Sequence, residues 1–187
     1  MGFTPPRDTS PPSDDAEEMD LAASTESAMR EWETLRKLFE VVKSRLGSGF
    51  QPLDPEYEPP RDSPFGPVLV YRTHTVAGIW LNFYMGLIVL YRAHPSMPPV
   101  AMMAAGLSAR HTAPFANEIG QIAAGISDDI SGMAALSTVM AGAIMETSLP
   151  VFVAGVQVGA PLLLLEIANC LMLTDRRSIE IRPSDTG

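Results

Sequence analysis

The chain has 187 residues, 46% of them apolar and only 19% charged, with a formal net charge of −9. That length suits one domain with a real core, or one domain plus a tail. The acidic balance argues against a surface that grips a nucleic-acid backbone, which needs clustered Lys and Arg. Here the only basic pairs are Arg36-Lys37 and Arg176-Arg177.

The charge is unevenly spread. Residues 1–62 hold 14 Asp/Glu and 7 Lys/Arg, whereas residues 63–187 hold 8 and 6. The second part must be mostly buried, sit against a partner, or sit in a membrane. A single cysteine, Cys170, rules out an intramolecular disulfide framework and a thiolate zinc cluster built from this chain alone. The N-terminus carries no basic start and no apolar centre of a secretory signal.

Residues 1–23 read as a disordered tail. Pro5-Pro6, Pro11-Pro12 and the run Asp14-Asp15-Ala16-Glu17-Glu18 bury too little apolar area to offset ordering entropy. Residues 25–46 form the clearest amphipathic helix, with Thr25 or Ser24 as cap and Gly47 as terminator. Its apolar stripe is Met29, Trp32, Leu35, Phe39, Val42 and Leu46, expected to face the chain's own domain. Residues 48–67 are a proline-dense extended connector that Phe50, Leu53, Tyr57 and Phe65 could anchor in grooves. Val68-Leu69-Val70-Tyr71 fits either a strand or a helix start.

From Thr73 to Tyr91 there are 19 residues without Asp, Glu, Lys or Arg. Val76, Ile79, Trp80, Phe83, Leu87 and Leu90 define one helical face, and Leu81, Met85 and Ile88 make others apolar, so this helix is expected to be buried on most sides. Helical stretches follow at 99–111, 113–126 and 132–146, with Asp128 and Asp129 after a turn near Gly125. Residues 148–173 form the last stretch. Pro150 suits its first turn and Pro161 a break or kink before Leu162-Leu163-Leu164-Leu165. Both 73–91 and 147–165 reach the ~20 residues a bilayer span needs. Pro150, Gln157, Pro161, His74 and Asn82 argue instead for buried helices.

No catalytic, cofactor-binding or metal-binding residue is assigned. His74, His94 and His111 are spaced by 20 and 17 residues, which matches no metal motif. Glu118, Glu146 and Glu166 lie in apolar helices. A buried carboxylate can act as an acid, but pairing with Arg110, Arg92 or solvent is the plainer reading. Asp128-Asp129 lacks a calcium-loop context, Gly142 and Gly155 are isolated, and neither a phosphate loop nor a nucleophile elbow occurs.

Several motifs together carry a resemblance. They are Phe50-Gln51-Pro52-Leu53, Pro64-Phe65-Gly66-Pro67, Tyr71-Arg72-Thr73, Gly78-Ile79-Trp80, Tyr84-Met85-Gly86-Leu87, the corner Arg92-Ala93-His94-Pro95-Ser96-Met97-Pro98-Pro99, and Ala116-Asn117-Glu118-Ile119-Gly120. With Met145-Glu146-Thr147-Ser148-Leu149-Pro150-Val151-Phe152-Val153-Ala154-Gly155 they resemble the C-terminal regulatory region of fungal zinc-cluster transcription factors, over roughly residues 24–157. The resemblance implies an all-helical regulatory domain of a nuclear regulator. In that family a separate six-cysteine cluster holds two zinc ions and reads DNA. This chain lacks that module, so DNA contact through it is not expected and no cofactor is implied.

The expectation is therefore an all-α, irregular domain of five to six helices with Pro-rich connectors. The tail is 1–23, the regulatory domain 24–175 (truncated at its C-terminal end), and a polar tail 176–187. It would work in the nucleus through protein partners or self-association, with room for a small-molecule effector. The alternative is a small integral membrane protein spanning at 73–91 and 147–165.

Overall fold

In the computed structural model the chain is described for residues 14–131 and 138–158. The described residues form four helices, α1 (Asp14–Arg45), α2 (His74–Arg92), α3 (Ala101–Ser131) and α4 (Thr138–Val158). A short 3-10 turn at Ser48–Phe50 and a two-residue antiparallel ladder, β1 (Asp62–Ser63) with β2 (Gly66–Pro67), interrupt the connector. Helices α2, α3 and α4 pack on one another in all three pairings, and α1 lies against α2.

Thr73 sets the start of α2. Its backbone is extended, and its Oγ1 accepts the Val76 N–H at 3.3 Å, satisfying one of the free donors of the first turn. At the other end the chain turns through His94–Met97, closed by Met97 N–H to the His94 carbonyl at 2.8 Å. Pro95, Pro98 and Pro99 prevent α2 from running on into α3.

The core forms where the three apolar helices meet. Leu81 and Ile88 of α2, and Ile119 and Ile122 of α3, are fully buried, with Val151 and Ala154 of α4 closing the layer. Each such Leu or Ile contributes roughly 1.5–3 kcal/mol of transfer free energy. Trp80, Phe83 and Tyr84 fill the wider part of the core, with ring centroids 5.3–5.6 Å apart.

Four helices among the described residues replace the five to six expected. Breaks were expected between 111 and 113 and before Pro150, yet α3 runs through Pro114 and α4 through Pro150. Pro114 is exposed, so the Arg110 carbonyl that loses its intrahelical donor can face water. Thr112 and Ser108 are buried beside it, and their hydroxyls donate to the Ser108 and Ala105 carbonyls at 3.0 and 3.3 Å. Pro150 is itself fully buried, and ring packing favours keeping it inside α4. Gly125 does not turn the chain either, so Asp128 and Asp129 belong to α3.

α1 also differs from expectation. It begins at Asp14, and Thr25 is internal, its hydroxyl bonded to the Leu21 carbonyl at 2.8 Å. Only Trp32, Phe39 and Leu46 of the expected stripe turn inward, while Met29, Leu35 and Val42 are exposed.

The connector lies on the bundle as expected, with one exception. Phe50, Leu53 and Phe65 are partly buried, whereas Tyr57 is 74% exposed. Val68–Tyr71 is neither strand nor helix. It is fixed by Leu53 N–H to the Val70 carbonyl (2.8 Å) and Leu69 N–H to the Gln121 carbonyl (3.2 Å). Helix α3 makes room through missing side chains: a Cβ on Gly120 would sit 2.3 Å from the Phe65 ring, and one on Gly125 2.5 Å from the Leu69 carbonyl oxygen. Gly66, at φ +115, supplies the positive-φ residue of the ladder turn.

Expectations placed on residues 1–13, 132–137 and 159–187, including Pro161, Leu162–Leu165, Glu166, Cys170 and Arg176-Arg177, lie outside the described residues.

Candidate functional site

The corner after α2 gathers residues far apart in sequence. Trp32 of α1 sits edge-on to Tyr91 and to His94, with centroids at 5.6 and 4.5 Å. His111 of α3 stacks on Tyr91, 5.8 Å away at an interplanar angle of 15°. His94 and His111 therefore belong to one aromatic chain, His94 on Trp32, Trp32 on Tyr91 and Tyr91 on His111, which their sequence spacing did not reveal. His94 Nδ1 accepts the Ser96 N–H at 3.2 Å and lies 2.7 Å from the Ser96 hydroxyl, so it organises the turn. His111 Nε2 accepts from Arg110 Nε at 3.0 Å. His74 stands at the first position of α2. Among the described residues no group of three His, Cys, Asp or Glu is placed to hold a metal ion.

Glu118 pairs with tyrosine, where the sequence suggested arginine or solvent. It meets Tyr84 of α2, hydrogen-bonded to its hydroxyl, with Tyr71 of the connector nearby. Burial pushes both phenols well above their usual value of 10.0, and the Glu118 charge adds to it. The Tyr84 phenol holds the carboxylate, which ties α2 to α3. Glu146 is exposed on α4, its carboxylate oxygen 3.3 Å from the position a Cβ on Gly78 would take. Arg92 reaches across to donate to the Val153 carbonyl at 2.9 Å, and burial lowers its pKa from 12.5.

Outside the core, the helices present apolar side chains to solvent. On α4, Met145, Leu149 and Phe152 repeat at four and three residues, and each is more than half exposed. Met102, Met103 and Leu107 near the start of α3 are also more than half exposed, and Ile79 and Val89 on α2 are exposed to a lesser degree. The sequence reading treated α2 as buried on most sides. The exposed positions could have been found by noting that α2 is apolar on more faces than α3 and α4 can cover.

One shallow cleft of about 150 Å³ lies over the connector, between Leu53, Pro59, Arg61 and Val68. That is below the ~300 Å³ at which small-molecule sites begin. Among the described residues the geometry offers apolar helix faces and a hydrogen-bonded corner. No family model, curated protein or solved structure matches this chain.

Proposed function

We propose that this chain is a regulatory and interaction domain of the fungal zinc-cluster transcription-regulator type, without a DNA-binding module of its own, acting in the nucleus through protein contacts. The observation that carries the reading is the set of exposed apolar positions Met102, Met103 and Leu107 on α3 and Met145, Leu149 and Phe152 on α4. Apolar helix faces on a bundle with so few charges suit packing against another protein domain. The net charge of −9 supports protein contact over phosphate contact.

The test is a tethering assay. The chain is fused to an unrelated DNA-binding domain and placed at a reporter promoter. The reading expects reporter output to change, and Leu149→Glu with Phe152→Glu to abolish the change while the purified variant keeps its helical signal. An unchanged reporter, with the fusion present in the nucleus, overturns it.

A second reading is favoured by one observation. α2 alone among the described helices is long and apolar enough to cross a bilayer, though 44% of its apolar window is buried within the protein. Carbonate extraction of membranes separates the two: an integral protein stays in the pellet, and a nuclear regulatory domain is released.

A further inference from the structure

Helix α1 has three faces, and only two of them are accounted for. Trp32 and Phe39, with Leu46 just past its end, face the domain. A second face carries an ion-pair ladder, Glu26–Arg30, Glu33–Arg36, Glu33–Lys37 and Arg36–Glu40. The third is formed by Glu31, Leu35, Leu38, Val42 and Arg45, all exposed. Spaced at four, three, four and three residues, they fall within about 80° of arc and span about 21 Å of helix. Among the described residues, neither Glu31 nor Arg45 is held in an ion pair.

This stripe reads acidic, apolar, apolar, apolar, basic, which is complementary to its own reverse. Laid antiparallel on a second copy about a two-fold axis at Leu38, it sets Glu31 of each chain opposite Arg45 of the other. Leu35 then faces Val42, and Leu38 meets its own symmetry mate. A parallel pairing would put Glu31 on Glu31 and Arg45 on Arg45 at both ends. We propose that α1 mediates an antiparallel homodimer through Glu31, Leu35, Leu38, Val42 and Arg45. The proposal is independent of the regulatory reading above and stands whether or not that reading holds.

Six apolar side chains and two symmetric ion pairs make a small contact, below the ~1,200–2,000 Å² of a standard stable interface. The dimer is therefore a micromolar or weaker one, and its closed two-fold geometry stops growth at two chains. Because the five residues are exposed in the monomer, their variants retain the fold.

The experiment is sedimentation equilibrium of the full chain from about 1 µM to about 500 µM, bracketing the affinity range of small interfaces. A concentration-dependent monomer–dimer equilibrium is expected. Leu38→Glu sets two carboxylates at the axis and should raise the dissociation constant about tenfold or more. Glu31→Arg alone should weaken the dimer at low salt, and adding Arg45→Glu should restore it, since the swap regenerates the complementary pattern. Circular dichroism of each variant checks that helix content is retained. A chain monomeric throughout the range overturns the proposal. So does a dimer indifferent to Leu38→Glu, or a double swap no stronger than the single variant.

Discussion

Trp32 donates its indole N–H to the carbonyl oxygen of Leu90 across 2.8 Å. Leu90 lies in the last turn of α2, where carbonyls have no partner of their own within the helix. A side chain from α1 thus completes the end of α2 and fixes where α1 lies. Trp32→Phe keeps an aromatic ring against Tyr91 and His94 but leaves that carbonyl without its donor. The expected loss is about 1–2 kcal/mol in urea denaturation, with amide exchange in α1 rising first. An unchanged midpoint and unchanged protection would show that the bond does not anchor α1.

Gly120 and Gly106 should respond in opposite senses to the same substitution. A Cβ on Gly120 would meet the Phe65 ring at 2.3 Å, whereas nothing lies within 4 Å of one on Gly106. Gly120→Ala should cost about 1–3 kcal/mol by pushing the connector off α3. Gly106→Ala should gain up to about 1 kcal/mol from helix propensity alone. Thermal melts of both variants decide it, and equal shifts would contradict the described seat of Phe65.

Proline position gives a similar contrast. Pro114 is exposed inside α3 and Pro150 is buried inside α4. Alanine at either site restores a backbone donor, but at 150 it also removes buried ring atoms worth about 0.8 kcal/mol per methylene. Pro114→Ala should therefore stabilise more than Pro150→Ala, as read from paired denaturation midpoints.

Tyr71 and Tyr84 make stability fall in alkali. Both are held above their usual value of 10.0, chiefly by burial. Below pH 10 folded and unfolded chains carry these protons alike, and the stabilisation is fully present. Above it the unfolded chain releases them first, so unfolding is favoured increasingly as pH rises. Tyr84→Phe should reduce the proton release that accompanies unfolding above pH 10 by up to one proton. Alkaline denaturation followed by circular dichroism and phenolate absorbance checks this. A slope unchanged in the variant would place the Tyr84 proton outside the effect.

The helices were largely legible because apolar periodicity and turn chemistry agreed. Thr73, Pro95 and Pro98 bracket α2 by rules that act within a few residues. What failed was local reasoning applied to prolines. Pro114 and Pro150 have the same sequence signature as helix ends, and only packing by Ala116, Ile119, Val151 and Ala154 decides that the helix continues. The inward face of α1 failed for a related reason. Its apolar residues cover a wide arc, and which part faces inward depends on where α2 offers Gly86, whose missing side chain admits the Phe39 ring. The Tyr71–Tyr84–Glu118 group and the Trp32, Tyr91, His94 and His111 rings were invisible because their members come from different elements, and no spacing rule links them.

The seat of the connector on α3 has a consequence for the order of events at synthesis. Leu69 and Phe65 find their hydrogen-bond partner at Gln121, and the glycines that receive them are Gly120 and Gly125. None of these exists when the connector emerges from the ribosome. The connector is made first but cannot take its seat until α3 has been synthesised, leaving Phe65 and Leu69 unsheltered, whereas α1 finds Leu90 and Gly86 already present in α2. Slow translation through residues 101–131 would lengthen that exposure, and a chaperone that binds extended apolar segments would meet the nascent chain there.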